Sequence, residues 1–180
     1  MLRRFAPRND RFRVVLIDPE IPWNTGNIGR SCLGFGAELL LVGKPGFSID
    51  QKQVRRAGLD YWDNVPLSLH ANAREFFRAN PPTEDWFFFS ARARKSLWGE
   101  RIPAGAVFVF GRESDGLPAW VRRRYASRLF RLPLSGPIRS LNLSTAAGIV
   151  LAEAARQRRV PRRDTAGVAD APSRRPMRNG

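Results

Sequence analysis

The feature that most limits the fold of this chain is a set of short segments that are apolar at every position instead of at every second one. Val14-Val15-Leu16-Ile17, Leu39-Leu40-Leu41-Val42, Trp86-Phe87-Phe88-Phe89 and Ala106-Val107-Phe108-Val109-Phe110 all have this form. A strand with one wetted face alternates apolar and polar residues, so a continuous run marks a strand covered on both faces. Such strands belong to a parallel sheet with helices on each side. A further strand is expected at Arg128-Leu129-Phe130-Arg131-Leu132. The predicted class is α/β, with a mostly parallel sheet flanked by helices.

The segments between the strands carry helical signals. Asn24 to Gly36 reads as a helix with Asn24 as candidate cap, Ile28, Cys32, Leu33 and Phe35 on the buried side, and Gly34 and Gly36 ending it. With its flanking strands it makes a βαβ unit. Gln51 to Ala57 reads as a short basic helix with Lys52, Arg55 and Arg56, and the Tyr61-Trp62 pair after it is either a stacking surface for RNA or part of the core. Asn72 to Ala79 is an amphipathic helix on Phe76 and Phe77, with His70 at the surface before it. Ser90 to Lys95 is a loop with three cations, either solvated or facing RNA. Pro118 to Tyr125 starts a helix whose Arg122, Arg123 and Arg124 form a solvated face, and a last helix fades near Arg159.

Three loops place small or polar residues just beyond a strand: Asn24 to Arg30, Gly111 to Gly116, and Leu132 to Ser144. In the second, Gly111 allows close approach of a ligand to the backbone, Gly116 permits a positive φ, and Glu113 is an acceptor at the strand's carboxyl end. The third opens a helix with Ser140, Asn142 or Ser144 as cap, so unpaired N–H groups face the turn. Three such loops point to one binding site. No G-x-G-x-x-G lies between a strand and a helix and no P-loop occurs, which argues against NAD and P-loop nucleotides.

Charge narrows the partner. Lys+Arg number 31 against 16 Asp+Glu, a net +15, and only three of the basic residues are lysines. Arginine forks bind phosphate and stack on bases, so a nucleic acid is expected in preference to a membrane surface. Residues 156–180 account for +6 and the rest of the chain for +9, so the basicity is not only a tail effect. Cys32 and His70 are the sole cysteine and histidine, which excludes a disulfide framework and a Cys/His zinc cluster and fits a reducing compartment. Cys32 reads as a small core residue. With no apolar leader and no membrane-length segment, a cytoplasmic location is expected. The expected organisation is a basic arm (1–13), one domain (14–159) and a disordered Arg/Pro/Ala-rich tail (160–180).

Taken jointly, Asn24-Thr25-Gly26-Asn27-Ile28-Gly29-Arg30, Gly111-Arg112-Glu113-Ser114-Asp115-Gly116-Leu117-Pro118 and Leu132-Pro133 through Ser140-Leu141-Asn142-Leu143-Ser144 resemble, in order and spacing, the three motifs of the SPOUT RNA 2′-O-methyltransferases. Glu20-Ile21-Pro22, Gly58-Leu59-Asp60-Tyr61 and Glu153-Ala154 narrow the resemblance to the minimal subgroup acting on the wobble nucleotide of tRNA, over roughly Val14 to Gln157. The resemblance implies a C-terminal deep trefoil knot, a homodimer, a tRNA anticodon loop as partner with neither DNA nor membrane, and S-adenosyl-L-methionine as cofactor, giving S-adenosyl-L-homocysteine without a metal. Position by position it implies that Phe89, Gly111, Leu132, Ser140 and Leu141 hold the cofactor. Arg30 is implied to contact RNA and help activate the ribose 2′-hydroxyl, supported by Asn24, Glu113 and Asn142, while Arg55, Arg56 and Arg139 are assigned to RNA binding.

A guanidinium stays protonated, so the expected role of Arg30 is to stabilise the developing alkoxide, with an RNA phosphate as proton acceptor. On spacing alone Arg30 reads as a solvated surface arginine. The chain departs from the family at Ala152, where an aromatic residue usually precedes the Glu-Ala pair. Two alternatives stand beside the wobble reading: a 2′-O-methyltransferase of rRNA or another tRNA position, and a basic RNA-binding protein without catalysis.

Overall fold

The apolar runs become the middle of a parallel sheet. The computed structural model describes residues 10–47 and 61–158. Among the described residues, β1 (Arg13–Ile17), β2 (Glu38–Val42), β3 (Leu67–His70), β4 (Trp86–Phe89), β5 (Lys95–Ser96), β6 (Val107–Phe110) and β7 (Leu129–Arg131) form one sheet. Its order is β3-β2-β1-β6-β4-β7-β5, and every neighbouring pair runs parallel. The helices are α1 (Pro22–Phe35), α2 (Ala73–Ala79), α3 (Ala119–Arg124) and α4 (Leu143–Arg158).

Because side chains alternate along a strand, each apolar run feeds two cores. Val14, Leu16, Phe87, Phe89, Phe108 and Phe110 face α1 and α4, packing on Ile28, Cys32, Val150 and Leu151. Val15, Ile17, Phe88, Val107 and Val109 face α2 and α3, where Phe76, Phe77 and Val121 cover them. The second core is an aromatic stack in which the Phe88 and Tyr125 rings lie 4.5 Å apart and nearly parallel. Every residue of β1, β4 and β6 is buried, as the absence of alternation required.

Two strands have no such run. β3 is an edge strand of mixed composition after Pro66, and it carries His70, whose ring packs edge-on against Phe76. β5 is two residues long and forms the opposite edge, taking Lys95 out of the predicted loop. Edge strands are covered incompletely and need no continuous apolar sequence, which is why neither announced itself.

The first helix also differs from expectation. It begins at Pro22, so Asn24 is a buried residue inside the first turn and not its cap; Ile21 holds the cap position without a side-chain bond. Gly36, with φ 66°, ends α1 in the left-handed conformation, and Phe35 is exposed rather than buried. Trp62 belongs to the core, and a Cβ placed on Gly29 would stand 2.6 Å from its ring. Cys32 is fully enclosed, and desolvation pushes its thiol up to about 12. The predicted basic helix at Gln51–Ala57, Arg55 and Arg56, the arm at 1–9 and the tail at 160–180 lie outside the described residues.

At its far end, α4 is tied to the loop before β6. Gln157 donates to the Glu100 carbonyl and accepts from Ile102 N–H, while Glu153 receives both Arg156 and Gln157. Those donors hold the Glu153 carboxyl down to about 2.

Gly29→Ala is expected to lower stability by about 1–3 kcal/mol, since the added Cβ would overlap the buried Trp62 ring. Urea unfolding of the two proteins measures it. The Cys32 thiol is expected to resist a soluble disulfide reagent in the native protein and to react at once in denaturant, and a fast native reaction would show that the α1 face opens.

Candidate active site

The three loops meet at the carboxyl ends of β4, β6 and β7. Helix α1 has no cap of its own, and the acceptor comes from a loop far along the chain: Glu20 N–H donates to Glu113 Oε2 at 2.8 Å and Ile21 N–H to Glu113 Oε1 at 3.2 Å. A carboxylate is favoured here by the positive end of the helix dipole. The contact is reciprocal, since Ser114 donates its N–H and hydroxyl to the Glu20 carboxylate at 3.0 Å each. Arg112 adds an ion pair to Asp18 at 3.1 Å.

From Glu113 a chain of side-chain amides reaches the last helix. Glu113 is an acceptor only, so the Asn24 amide must turn its NH2 towards it, and Nδ2 donates to Oε1 at 2.9 Å. This leaves Asn24 Oδ1 facing Asn142 Nδ2, again at 2.9 Å. Asn142 Oδ1 is thereby directed onto the start of α4, accepting from Ser144 N–H at 2.9 Å, Ser144 Oγ at 2.7 Å and Thr145 N–H at 3.3 Å. Of the three candidate caps, Asn142 is the one used. One carboxylate thus sets the orientation of two amides and of a helix N-terminus.

Above this relay lies an open cavity of about 720 Å³, within the roughly 300–1,000 Å³ usual for small-molecule sites. Phe89, Gly111, Leu132, Ser140 and Leu141 line it, as do Asn24, Glu113, Asn142 and Arg139. Its floor is apolar, with the Phe89 and Phe110 rings stacked 4.7 Å apart. Its wall is polar backbone from the strand ends and the 132–142 loop. Gly111 serves the loop itself: a Cβ there would lie 2.0 Å from the Gly116 backbone, so the close approach it permits is within the protein. Gly116 adopts φ 70°, as the turn required.

Arg30 is not part of the cavity lining. It stands exposed on α1 with its guanidinium 5.3 Å from the centre of the Tyr61 ring, and Tyr61 in turn donates its hydroxyl to the Gly26 carbonyl at 3.4 Å. The single chain therefore joins Asn24, Glu113 and Asn142 but leaves Arg30 apart from them. Sequence reasoning missed Arg122. Instead of lying on a solvated face, it turns inward to donate to the Leu117 and Asp115 carbonyls and borders the cavity. Its position five residues after Leu117 carried no signal, because only the loop's curvature brings the carbonyls within reach. Arg92 and Arg131 also line the cavity, so one of the cations in the 90–95 loop does face the site.

No group of three or more His, Cys, Asp or Glu among the described residues is placed to hold a metal ion. Among those residues no helix is long and apolar enough to cross a membrane.

Glu113→Gln sets an NH2 against backbone N–H donors, and is expected to lower stability by about 1–3 kcal/mol. In a double-mutant cycle, Glu113→Gln and Asn142→Ala should be non-additive although they share no direct bond, because Asn24 links them. Additive losses would show that the relay does not act as a unit.

The SpoU rRNA Methylase family profile matches residues 11–152. The chain is 40% identical over 148 residues to a tRNA (cytidine(34)-2′-O)-methyltransferase of Burkholderia cenocepacia, covering 81% of this chain and 95% of that protein. A solved structure concerned with the 2-OH methylation of C/U34 on tRNA superimposes with a TM-score of 0.75 at 40% identity, covering 83% of this chain and 97% of the other. An AdoMet-bound rRNA methyltransferase from Sinorhizobium meliloti matches with a TM-score of 0.68 at 28% identity, over 84% of this chain and 58% of that one. The family profile spans most of the chain and relatives about 40% identical are covered almost end to end, so this chain belongs to the SpoU methylase family.

Proposed function

We propose that the protein is a tRNA (cytidine/uridine-34) 2′-O-methyltransferase that uses S-adenosylmethionine to methylate the ribose of the wobble nucleotide. The observation that carries this reading is the joined three-loop site in a chain 40% identical, over four-fifths of its length, to a cytidine-34 enzyme.

The cofactor, when bound, supplies a methyl group already activated on a sulfonium, so no metal is required to make it electrophilic. Phe89 and Leu141 offer apolar surface to its adenine, Gly111 and Leu132 offer backbone groups at the strand ends, and Ser140 offers a hydroxyl from the 132–142 loop. The amide relay holds these loops in register, which matters because alignment of the reacting atoms supplies most of the rate. Arg30 stabilises the alkoxide as the 2′-hydroxyl loses its proton to an RNA phosphate. Arg139 at the rim, with Arg55 and Arg56, engages the RNA backbone.

The family resemblance implies a homodimer as the active form, with one protomer presenting Arg30 to the other's site, and the position of Arg30 outside its own chain's cavity supports that reading. The knot of the family is the natural reading of β7, which enters between β4 and β5 before the chain returns to pack α4 on α1. The whole of 14–159 acts as one catalytic domain in the cytoplasm, and the arm and tail add salt-sensitive RNA affinity.

The test is transfer of labelled methyl from S-adenosylmethionine to a tRNA pool, followed by nucleoside mapping. A 2′-O-methylated pyrimidine at position 34 is expected. Arg30→Ala should cut kcat/KM by about 100-fold or more. Methyl groups found in rRNA or elsewhere in tRNA would overturn the substrate, and no transfer to any RNA would overturn the enzyme reading.

A further inference from the structure

Resting on the methyltransferase reading, we infer that Trp23 is a stacking platform for a nucleobase beside the target nucleotide. Trp23 is 59% exposed and adjoins other exposed apolar residues at the same opening, and a patch of this kind marks an interaction site where a lone surface ring would not. It lies in the first turn of α1, between Ile21 and Asn24, both of which line the cavity. Ile21 is itself 40% exposed, and Leu134 and Ile138 continue an apolar rim around the same opening.

Trp23, Asn27 and Arg30 follow one another at helical spacing, and all three are exposed, so they form one outward stripe of α1 about 10 Å long. At its far end the Arg30 guanidinium rests on Tyr61. The stripe therefore offers, in order, a free aromatic face, a side-chain amide and a cation. The aromatic end of the stripe suits single-stranded RNA, in which a base can stack on the Trp23 ring while a backbone phosphate meets an arginine of the same rim such as Arg139. A duplex has no free base face to offer. The chain's net charge of +15 favours a polyanion over an uncharged partner here.

The experiment compares wild type, Trp23→Ala and Trp23→Phe on an anticodon stem-loop and on versions of it that each lack one loop base. Trp23→Ala is expected to raise KM for the RNA about tenfold, within the range for loss of one base–aromatic stack, with affinity for S-adenosylmethionine and oligomeric state unchanged. Trp23→Phe should recover most of the loss. One abasic stem-loop should penalise wild type by a similar factor and Trp23→Ala no further, which identifies the stacked base. Wild-type KM in Trp23→Ala overturns the inference. So does a change of oligomeric state that accounts for the lost activity, since the ring would then be packing against a second copy. If the wild type transfers no methyl at all, the function proposed above fails by itself. Fluorescence-anisotropy titration of the same stem-loop then decides the stacking role, and equal affinities of wild type and Trp23→Ala would overturn it.

Discussion

The arrangement of the site depends on where the Glu113 carboxylate ends. It accepts from the Glu20 and Ile21 backbone and from the Asn24 amide, so it joins the start of α1 to the loop after β6 across some ninety residues of sequence. Because a carboxylate has no proton to give, the direction of each following hydrogen bond is determined, through Asn24 to Asn142 and on to the N-terminus of α4. An amide in the place of Glu113 would leave each orientation open. Directional bonding of this kind holds loops that have few apolar contacts of their own.

The sheet gives that relay its rigidity. Three parallel strands end side by side beneath the cavity, and their side chains are locked into two cores, one on each face. The aromatic rings of β4 and β6 are part of those cores and also, at Phe89 and Phe110, the floor of the site. Packing and binding are therefore done by the same residues, so movement of the floor would disturb the core beneath α1 and α4.

Electrostatics act at a different range. The cations that border the opening, Arg92, Arg112, Arg122, Arg131 and Arg139, come from separate segments of the chain and share no local pattern. Together they set a positive rim around an apolar floor, which draws in a polyanion while leaving the recognition of the small ligand to short contacts. Arg122 shows how the two roles overlap, since it braces the 115–117 carbonyls while contributing its charge to the rim.

The central strands, the helices between them and the three binding loops were legible in the sequence, because burial on both faces forbids polar alternation and because glycine and asparagine mark turns and helix starts. Glu113 and Asn142 could be picked out as an acceptor and a candidate cap. What could not be read was that Asn24 is not a cap. Its partners lie 89 and 118 residues away, and no local pattern encodes such a meeting. The edge strands β3 and β5 were hidden for the same kind of reason, since a strand paired on one side carries only a weak apolar signature. The separation of Arg30 from its own cavity, the inward turn of Arg122 and the exposed ring of Trp23 were likewise decided by tertiary structure. Periodicity reports which face of an element is buried, whereas the packing of distant elements decides what stands opposite it.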